Sequence, residues 1–207
     1  MNQLASIISR RHSLEMSSSF ILRFIVQQDG DAIHFPLISQ QSYNFTISYG
    51  DGTIPELITA SSLSHTYALA GVYDVEFTPQ STNGLPSISF ASVPDSKDSL
   101  LGIVNWGTNK WQSMNAMFNF CSILSFSNGS PDLSEVTSCN LMFRGCTSFN
   151  SDLSNWDVSN ITNMGSMFDQ CSSLSPDLSS WNVGNVTNMF RLFRDCTNFT
   201  SDLSSWN

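Results

Sequence analysis

The sequence predicts a mainly β protein in which a β-sandwich is followed by a short solenoid of 25-residue coils. Two observations lead to this fold class. Residues 19–92 hold short β-type runs separated by turn signals, and residues 100–207 repeat themselves every 25 residues. The polar, proline-containing stretch 93–99 is the predicted linker, and residues 1–18 are a predicted leader or flexible tail.

The predicted sandwich consists of apolar runs that are short enough for strands and too short for helices. Glycine-containing turn signals separate these runs, as is typical of antiparallel β proteins. The predicted strands lie in the runs SFILRFIVQ, AIHFPLI, YNFTISY, ELITA, VYDVEFT and SISFAS, and the turns at Asp29-Gly30, Gly50-Asp51-Gly52 and Asn83-Gly84.

The repeat places similar side chains in columns with a spacing of 25 residues. One such unit cannot bury its own apolar face, whereas stacked units bury a continuous core. The columns are Phe118, Phe143, Phe168 and Phe193; Cys121, Cys146, Cys171 and Cys196; Trp106, Trp156, Trp181 and Trp206, with Pro131 in the gap; Met114, Cys139, Met164 and Met189; Trp111, Val136, Ile161 and Val186; and Ile103, Leu153, Leu178 and Leu203, with Asn128 as the exception. Within a unit, the alternation over 149–153 predicts a strand, and the spacing over 156–168 predicts turns and a short helical segment.

Both halves resemble known families. Residues 49–53 (YGDGT), 65–67 (HTY) and 71–75 (GVYDV) resemble the corresponding motifs of PKD-like sandwich domains, of the immunoglobulin-like class. Residues 152–171 and 177–196 resemble BspA-type leucine-rich-repeat surface proteins. The resemblance implies a leucine-rich-repeat-type solenoid and a non-catalytic, surface-displayed module for adhesion or recognition. It also implies an extracellular or cell-surface location and a protein or glycan partner.

Composition and charge exclude several classes of function. Eight Lys and Arg residues against 17 Asp and Glu give a net charge of −9, which disfavours binding to nucleic acid. No apolar run approaches the ~20 residues of a membrane-spanning helix, so we expect no membrane insertion. Arg10, Arg11 and His12 stand where a secretory signal needs an apolar core, so the sequence predicts no such signal.

Catalytic, metal and cofactor sites are not expected. The three histidines are scattered at His12, His34 and His65, and no cysteine has a local activation signature or the spacing of a metal ligand. The cysteine column could form disulfides between neighbours, but buried free thiols are the favoured interpretation. Asn160 and Asn185 lie in glycosylation sequons, yet an internal asparagine ladder explains them without a glycan.

Outward positions of the repeat form the candidate partner-binding face, whose six residues are Asn150, Asp152, Ser175, Asp177, Thr200 and Asp202. Small polar side chains on a regular surface suit recognition of a protein or glycan. The acidic column could hold Ca²⁺, but we favour the interpretation that each aspartate caps the turn after it.

Two further hypotheses remain from the sequence. A structural component of a larger particle, such as a virion or an appendage, is the first alternative, and an intracellular scaffold the second. Phe199, Leu203 and Trp206 keep the repeat pattern without a polar cap. We therefore expect another chain, either a second copy or a partner subunit, to cover the last coil, with a longer natural protein as the competing explanation.

Overall fold

The computed structural model describes residues 18–39, 41–60, 62–81, 84–93, 96–121, 125–126 and 129–206. Most of the predicted leader and Asn83 of one predicted turn lie outside this part of the chain. The strands are β1 Phe20–Val26, β2 Ala32–Phe35, β3 Phe45–Ser48, β4 Glu56–Ile58, β5 Leu63–Thr66, β6 Gly71–Pro79, β7 Leu100–Asn105 and β8 Ser125–Phe126. Two short 3₁₀ helices span Phe90–Ser92 and Lys97–Ser99, and the described residues contain no α-helix.

The strands form two sheets. The larger has six strands in the order β4-β3-β6-β1-β7-β8 and is antiparallel except for the parallel pair β7–β8, while β2 and β5 form an antiparallel pair. Alternation along β1 buries Phe20, Leu22 and Phe24 and leaves Arg23 outside, where it pairs with Asp74 at 2.6 Å. Residues 20–79 thus form a β-rich, two-sheet structure that is consistent with a β-sandwich.

Aromatic side chains fill the space between the two sheets. The Phe35 ring of β2 lies 5.8 Å from Phe24, 6.0 Å from Phe77 and 5.6 Å from Tyr49, measured between ring centroids. Each such pair contributes roughly 0.5–1.5 kcal/mol beyond the burial of its area. Five of the six predicted strand runs are confirmed, because they contain β1, β2, β3, β4 and β6.

The run SISFAS is not a strand, contrary to the sequence prediction. Residues 87–89 are irregular, and Phe90–Ser92 form one of the 3₁₀ helices. This segment lies on the repeat region, because the Phe90 N–H donates to the Met117 carbonyl at 3.0 Å and the Ser89 hydroxyl donates to the Ala116 carbonyl at 3.0 Å. Its apolar side chains are buried at this junction rather than in a sheet.

The predicted leucine-rich-repeat solenoid is wrong. Residues 129–206 contain turns and isolated β-bridges but neither a strand nor a helix. The expected strand over 149–153 is irregular, and the expected helical segment is a series of turns. Two residues in each unit have a left-handed backbone, with φ of 53° at Ser166 and 64° at Gln170, and this interrupts both regular conformations.

The four units, named first to fourth by Phe118, Phe143, Phe168 and Phe193, contact one another directly. Neighbouring Phe rings lie 5.7–5.8 Å apart with interplanar angles of 12°, 6° and 1°. Backbone N–H groups alternate in their partners: the Phe143 N–H donates to Met167 of the next unit at 2.9 Å, whereas the Met142 N–H donates to Cys139 of its own unit at 3.1 Å. Through this alternation the backbone N–H and C=O groups of the turns find hydrogen-bond partners although no regular sheet is formed.

The sheets and the units share one hydrophobic core. Strand β7, which lies beyond the predicted linker 93–99, pairs with β1, and β8 pairs with β7. Trp106, directly after β7, contacts Phe20 at 5.7 Å and Trp156 at 5.5 Å between ring centroids. The chain from 100 onward therefore contributes both to the larger sheet and to the stacked units.

Candidate functional site

All six residues of the predicted partner-binding face are exposed and lie in two columns that cross the second to fourth units. The first column is linked by hydrogen bonds. The Asn150 Oδ1 accepts the N–H of Ser175 at 2.7 Å, and the hydroxyls of Ser175 and Thr200 lie 3.2 Å apart. The structure thus brings Asn150, Ser175 and Thr200 into direct contact.

The second column consists of Asp152, Asp177 and Asp202. Each Oδ1 accepts, at 2.9 Å, the backbone N–H of the serine two residues later. These hydrogen bonds lower the pKa of all three carboxyl groups. The turn interpretation of the aspartates is confirmed.

Two more columns of the same kind were missed by the sequence reasoning. Asp132, Asp157 and Asn182 accept the N–H of the residue two positions later at 3.0, 3.1 and 3.2 Å, and Asn163 and Asn188 do the same at 2.9 and 3.0 Å. The spacing of Asp or Asn two residues before Ser or Gly could have identified all of them except Asn188, which stands two residues before Phe190. Each unit therefore orients its polar surface by several local turns.

The sequon asparagines form the expected internal ladder. The amide nitrogen of Asn160 donates to the Ser134 carbonyl at 3.1 Å, and that of Asn185 donates to the Ser159 carbonyl at 2.7 Å. Both nitrogens to which a glycan would be attached are thus engaged between units.

The five cysteines are free thiols, and Cys196 alone among them is not fully buried. The Sγ atoms of Cys146, Cys171 and Cys196 lie 2.9–3.0 Å from the carbonyl of a phenylalanine in the preceding unit. Burial raises the pKa of Cys139 to about 12 and that of Cys196 to about 11. A raised thiol pKa disfavours the reactive thiolate, in keeping with a packing role for these cysteines.

A buried ion pair crosses the units at a place that the sequence did not single out. The carboxylate of Asp169, whose side chain is 2% exposed, receives two hydrogen bonds of 2.7 and 2.8 Å from Arg194 of the next unit. Arg144 of the preceding unit approaches it at 3.5 Å. Arg144, Asp169 and Arg194 occupy the same position in successive units, and this alternation of charge could have predicted the ion pairs. The ion pairs connect the second, third and fourth units.

His65 is held by a turn and by aromatic rings. Its Nε2 lies 2.7 Å from the Asp51 carboxylate, and its ring stacks on Tyr49 at 3.8 Å with an interplanar angle of 5°. Partial burial acts to raise the pKa of Asp51, but hydrogen bonds from His65 and Thr53 lower it to about 2. Among the described residues, no hydroxyl or thiol bonds to the His65 ring, so this pair fastens the turn at Gly50 to β5.

Gly50 and Gly52 of this turn both have a left-handed backbone. Gly50 has a φ of +80°, and a Cβ atom there would lie 2.6 Å from the Asp74 carbonyl oxygen. Any other residue would push the turn away from β6, and with it the Asp51 carboxylate from His65.

The described part of the chain contains no group of three or more His, Cys, Asp or Glu residues that could hold a metal ion. It also contains no helix with the length and apolar character needed to cross a bilayer.

The comparisons with known proteins concern the repeat region. A family model described as "Mycoplasma protein of unknown function, DUF285" matches residues 112–207. Comparison with curated proteins and with solved structures gives no match. The match overturns the assignment made from the sequence, a BspA-type leucine-rich-repeat protein with a PKD-like domain in front, because the matching family carries neither description. The predicted extracellular or surface location loses the support of that resemblance and stays a prediction. Residues 112–207 of this chain are similar to the DUF285 family of Mycoplasma proteins.

Proposed function

We propose that the protein is a non-catalytic recognition module that binds a protein or glycan partner through the polar face formed by Asn150, Asp152, Ser175, Asp177, Thr200 and Asp202. One observation carries the proposal: these exposed side chains are already fixed by hydrogen bonds before any partner arrives. A preorganised surface loses little conformational entropy on binding, so weak individual contacts can sum to a useful affinity.

The chemistry of the face indicates what it recognises. Three exposed carboxylates are each oriented by a hydrogen bond that Oδ1 accepts from a local turn. The neighbouring column adds small hydroxyl and amide groups without a bulky side chain. A partner that donates many hydrogen bonds across a flat surface, such as the hydroxyls of a neutral glycan or the lysines of a basic protein, fits this arrangement.

An array printed with neutral oligosaccharides and with lysine-rich peptides tests the proposal. The full chain should bind at least one class saturably, and the triple variant Asp152→Asn, Asp177→Asn, Asp202→Asn should lose at least about tenfold in affinity, since each lost charged contact is worth roughly 0.5–1 kcal/mol. Asparagine keeps the turn hydrogen bond, as Asn182 does at an equivalent turn.

The matched control is Asp132→Asn, Asp157→Asn, which removes carboxylate charges from another column of the same units. Binding that is lost equally in the control variant would be a general charge effect. Absence of saturable binding to both classes, or undiminished binding by the triple variant, would refute the proposed face.

A second candidate function is that of a structural component in a larger assembly. The observation that favours it is the outer side of the fourth unit, where Phe190 is 64% exposed and Met189 is 37% exposed. Exposed apolar groups of this size are typical of contact surfaces. Sedimentation of a lysate of the source cells, with the chain detected by antibody, distinguishes a component of a large assembly from a free module.

A further inference from the structure

Lys97, Phe120 and Arg144 form a surface cluster, named here the Phe120 patch. The Phe120 ring is 40% exposed, and two cations lie over it: Cζ of the Arg144 guanidinium is 5.1 Å from the ring centroid, and Nζ of Lys97 is 5.8 Å from it. Both distances are within the range of a cation–π contact. The patch shares no residue with the polar face of the proposed function.

Phe120 has a backbone conformation that a phenylalanine disfavours. Its φ is 59°, in the left-handed region where residues other than glycine are uncommon. Its counterparts in the other units are Gly145, Gln170 and Asp195, none of which is apolar. An exposed ring and a strained backbone both work against folding, and residues that combine such costs are concentrated at functional sites.

The Phe120 ring is held in place by the second unit. A Cβ atom at Gly145 would lie 2.3 Å from Cδ1 and 2.6 Å from Cε1 of the ring, so the ring rests directly on the glycine backbone. The backbone N–H of Phe120 donates to the Arg144 carbonyl at 2.7 Å. The ring is thus fixed before a partner arrives, which lowers the entropy cost of covering it.

Arg144 is incompletely paired within the chain. The buried carboxylate of Asp169 accepts its two short hydrogen bonds from Arg194, at 2.7 and 2.8 Å. Arg144 approaches the same carboxylate only to 3.5 Å, and its Nε–H has no hydrogen-bond partner among the described residues, while 32% of the side chain is exposed. A cation–π contact uses the charge of a guanidinium but not its N–H donors, so Arg144 retains the capacity to bind a carboxylate.

Lys97 is unpaired as well. It begins the 3₁₀ helix Lys97–Ser99, and its ammonium group forms no ion pair or hydrogen bond within the described part of the chain. Lys110, by contrast, faces Glu135 at 3.9 Å. Asp98 is turned away by about 120°, because a 3₁₀ helix has three residues per turn. The exposed ring therefore has two cations beside it that lack a hydrogen-bonded carboxylate.

We propose that the Phe120 patch docks a segment of a partner protein in which a carboxylate stands beside an apolar side chain. The carboxylate accepts hydrogen bonds from Arg144 and Lys97, and the apolar side chain covers the Phe120 ring. Aromatic and arginine side chains are the ones enriched at the energetic centres of protein interfaces.

Charge favours this occupant over others. The net charge of −9 repels the phosphates of a nucleic acid, and a second copy of the chain would bring the same net charge of −9. A short segment needs to bring only one carboxylate to the two cations. The patch and the polar face can be tested separately, because they share no residue and take ligands of different chemistry.

Fluorescence anisotropy of dye-labelled peptides with the full chain tests the proposal. The probes are short Gly/Ser peptides that carry one Glu beside one Phe or Leu, and the matched peptides carry Gln in place of Glu. The Glu peptides should bind saturably and at least about tenfold more tightly than the Gln peptides.

Two variants locate the binding on the patch. Phe120→Asn should weaken binding at least about tenfold without lowering the midpoint of urea unfolding, because asparagine tolerates a left-handed backbone. Lys97→Gln removes one exposed cation and should weaken binding about fivefold. The matched controls Lys110→Gln and Leu57→Thr change a lysine and an exposed apolar residue elsewhere, and should leave the affinity unchanged.

Binding that follows this pattern supports the proposal. It is overturned if no Glu peptide binds saturably, if the Glu and Gln peptides bind equally, or if Phe120→Asn binds like the unaltered chain. If Phe120→Asn fails to fold, Lys97→Gln decides, and an unchanged affinity of that variant overturns the proposal. Dimers of the chain that Lys97→Gln abolishes also overturn it, because the occupant would then be a second copy.

Discussion

Trp181 is the residue at which the contacts between units can be measured most directly. Its side chain is 3% exposed, its ring stacks on Trp206 at 6.2 Å and 3° and contacts Phe168 at 6.2 Å, and its indole N–H donates to the Leu153 carbonyl at 2.9 Å. Truncation of a buried tryptophan to alanine costs about 3–5 kcal/mol. The hydrogen bond accounts for about 1 kcal/mol of this cost.

We therefore expect Trp181→Ala to lower the free energy of unfolding by about 4 kcal/mol. Trp181→Phe keeps a stacked ring but loses the hydrogen bond, so about 1–2 kcal/mol is expected. The matched control is Trp206→Ala: Trp206 makes the same hydrogen bond to Leu178 at 3.0 Å but is only partly buried. Its truncation should cost about 2 kcal/mol.

Urea unfolding followed by far-UV circular dichroism measures these differences, because a tryptophan substitution alters the fluorescence signal itself. A cost below about 1 kcal/mol for Trp181→Ala would show that the tryptophan column is not part of the core that the units share. Equal costs for Trp181→Ala and Trp206→Ala would show that the difference in burial does not set the cost of truncation.

Three further outcomes are expected. The lowered pKa of Asp51, about 2 in the folded chain, provides stability that is present above pH ~4 and lost as the pH falls through 2; the loss between pH 6 and pH 3 is about 1 kcal/mol, and Asp51→Asn should abolish this part of the acid sensitivity in urea unfolding at the two pH values. Asp169→Asn leaves two arginines facing a neutral group and should cost about 2–3 kcal/mol, whereas Asp195→Asn, at an exposed position, should cost under about 0.5 kcal/mol; equal effects would contradict the buried ion pair. A chromogenic disulfide reagent at pH 8 should modify Cys196 before Cys139 in the native protein and all five thiols after unfolding, and a faster Cys139 would contradict its burial.

The strands of the first part were predictable because each is short, apolar and bounded by turn residues. In the runs around Phe20–Val26 and Phe45–Ser48 every second side chain is buried, which is typical of a sheet with one covered face, although Ile21 in the first run is buried as well. SISFAS has the same local character but forms no strand. This segment is held against the first unit by contacts with residues near Met117. Such contacts join residues far apart in the sequence, so the local pattern cannot predict them.

The face residues were predictable for a similar reason. Asp152 and its counterparts stand two residues before a serine, and a carboxylate at that spacing caps a turn whatever surrounds it. The partner of such a face is not encoded locally, and neither is the buried pair at Asp169. That pair needs Arg144 and Arg194 to meet across two unit boundaries.

By itself the sequence determined the period of the repeat, and with it the side chains that share a column and point inward. Large apolar residues repeat at the same positions of each unit, and burying these columns between stacked units removes them from water. The tertiary structure decided how the backbone inside each unit is folded. Residues such as Ser166 and Gln170 have left-handed φ angles that their side chains do not favour. They are held there because alternate N–H groups must reach the carbonyls of the next unit, and that requirement exists only when the units are stacked.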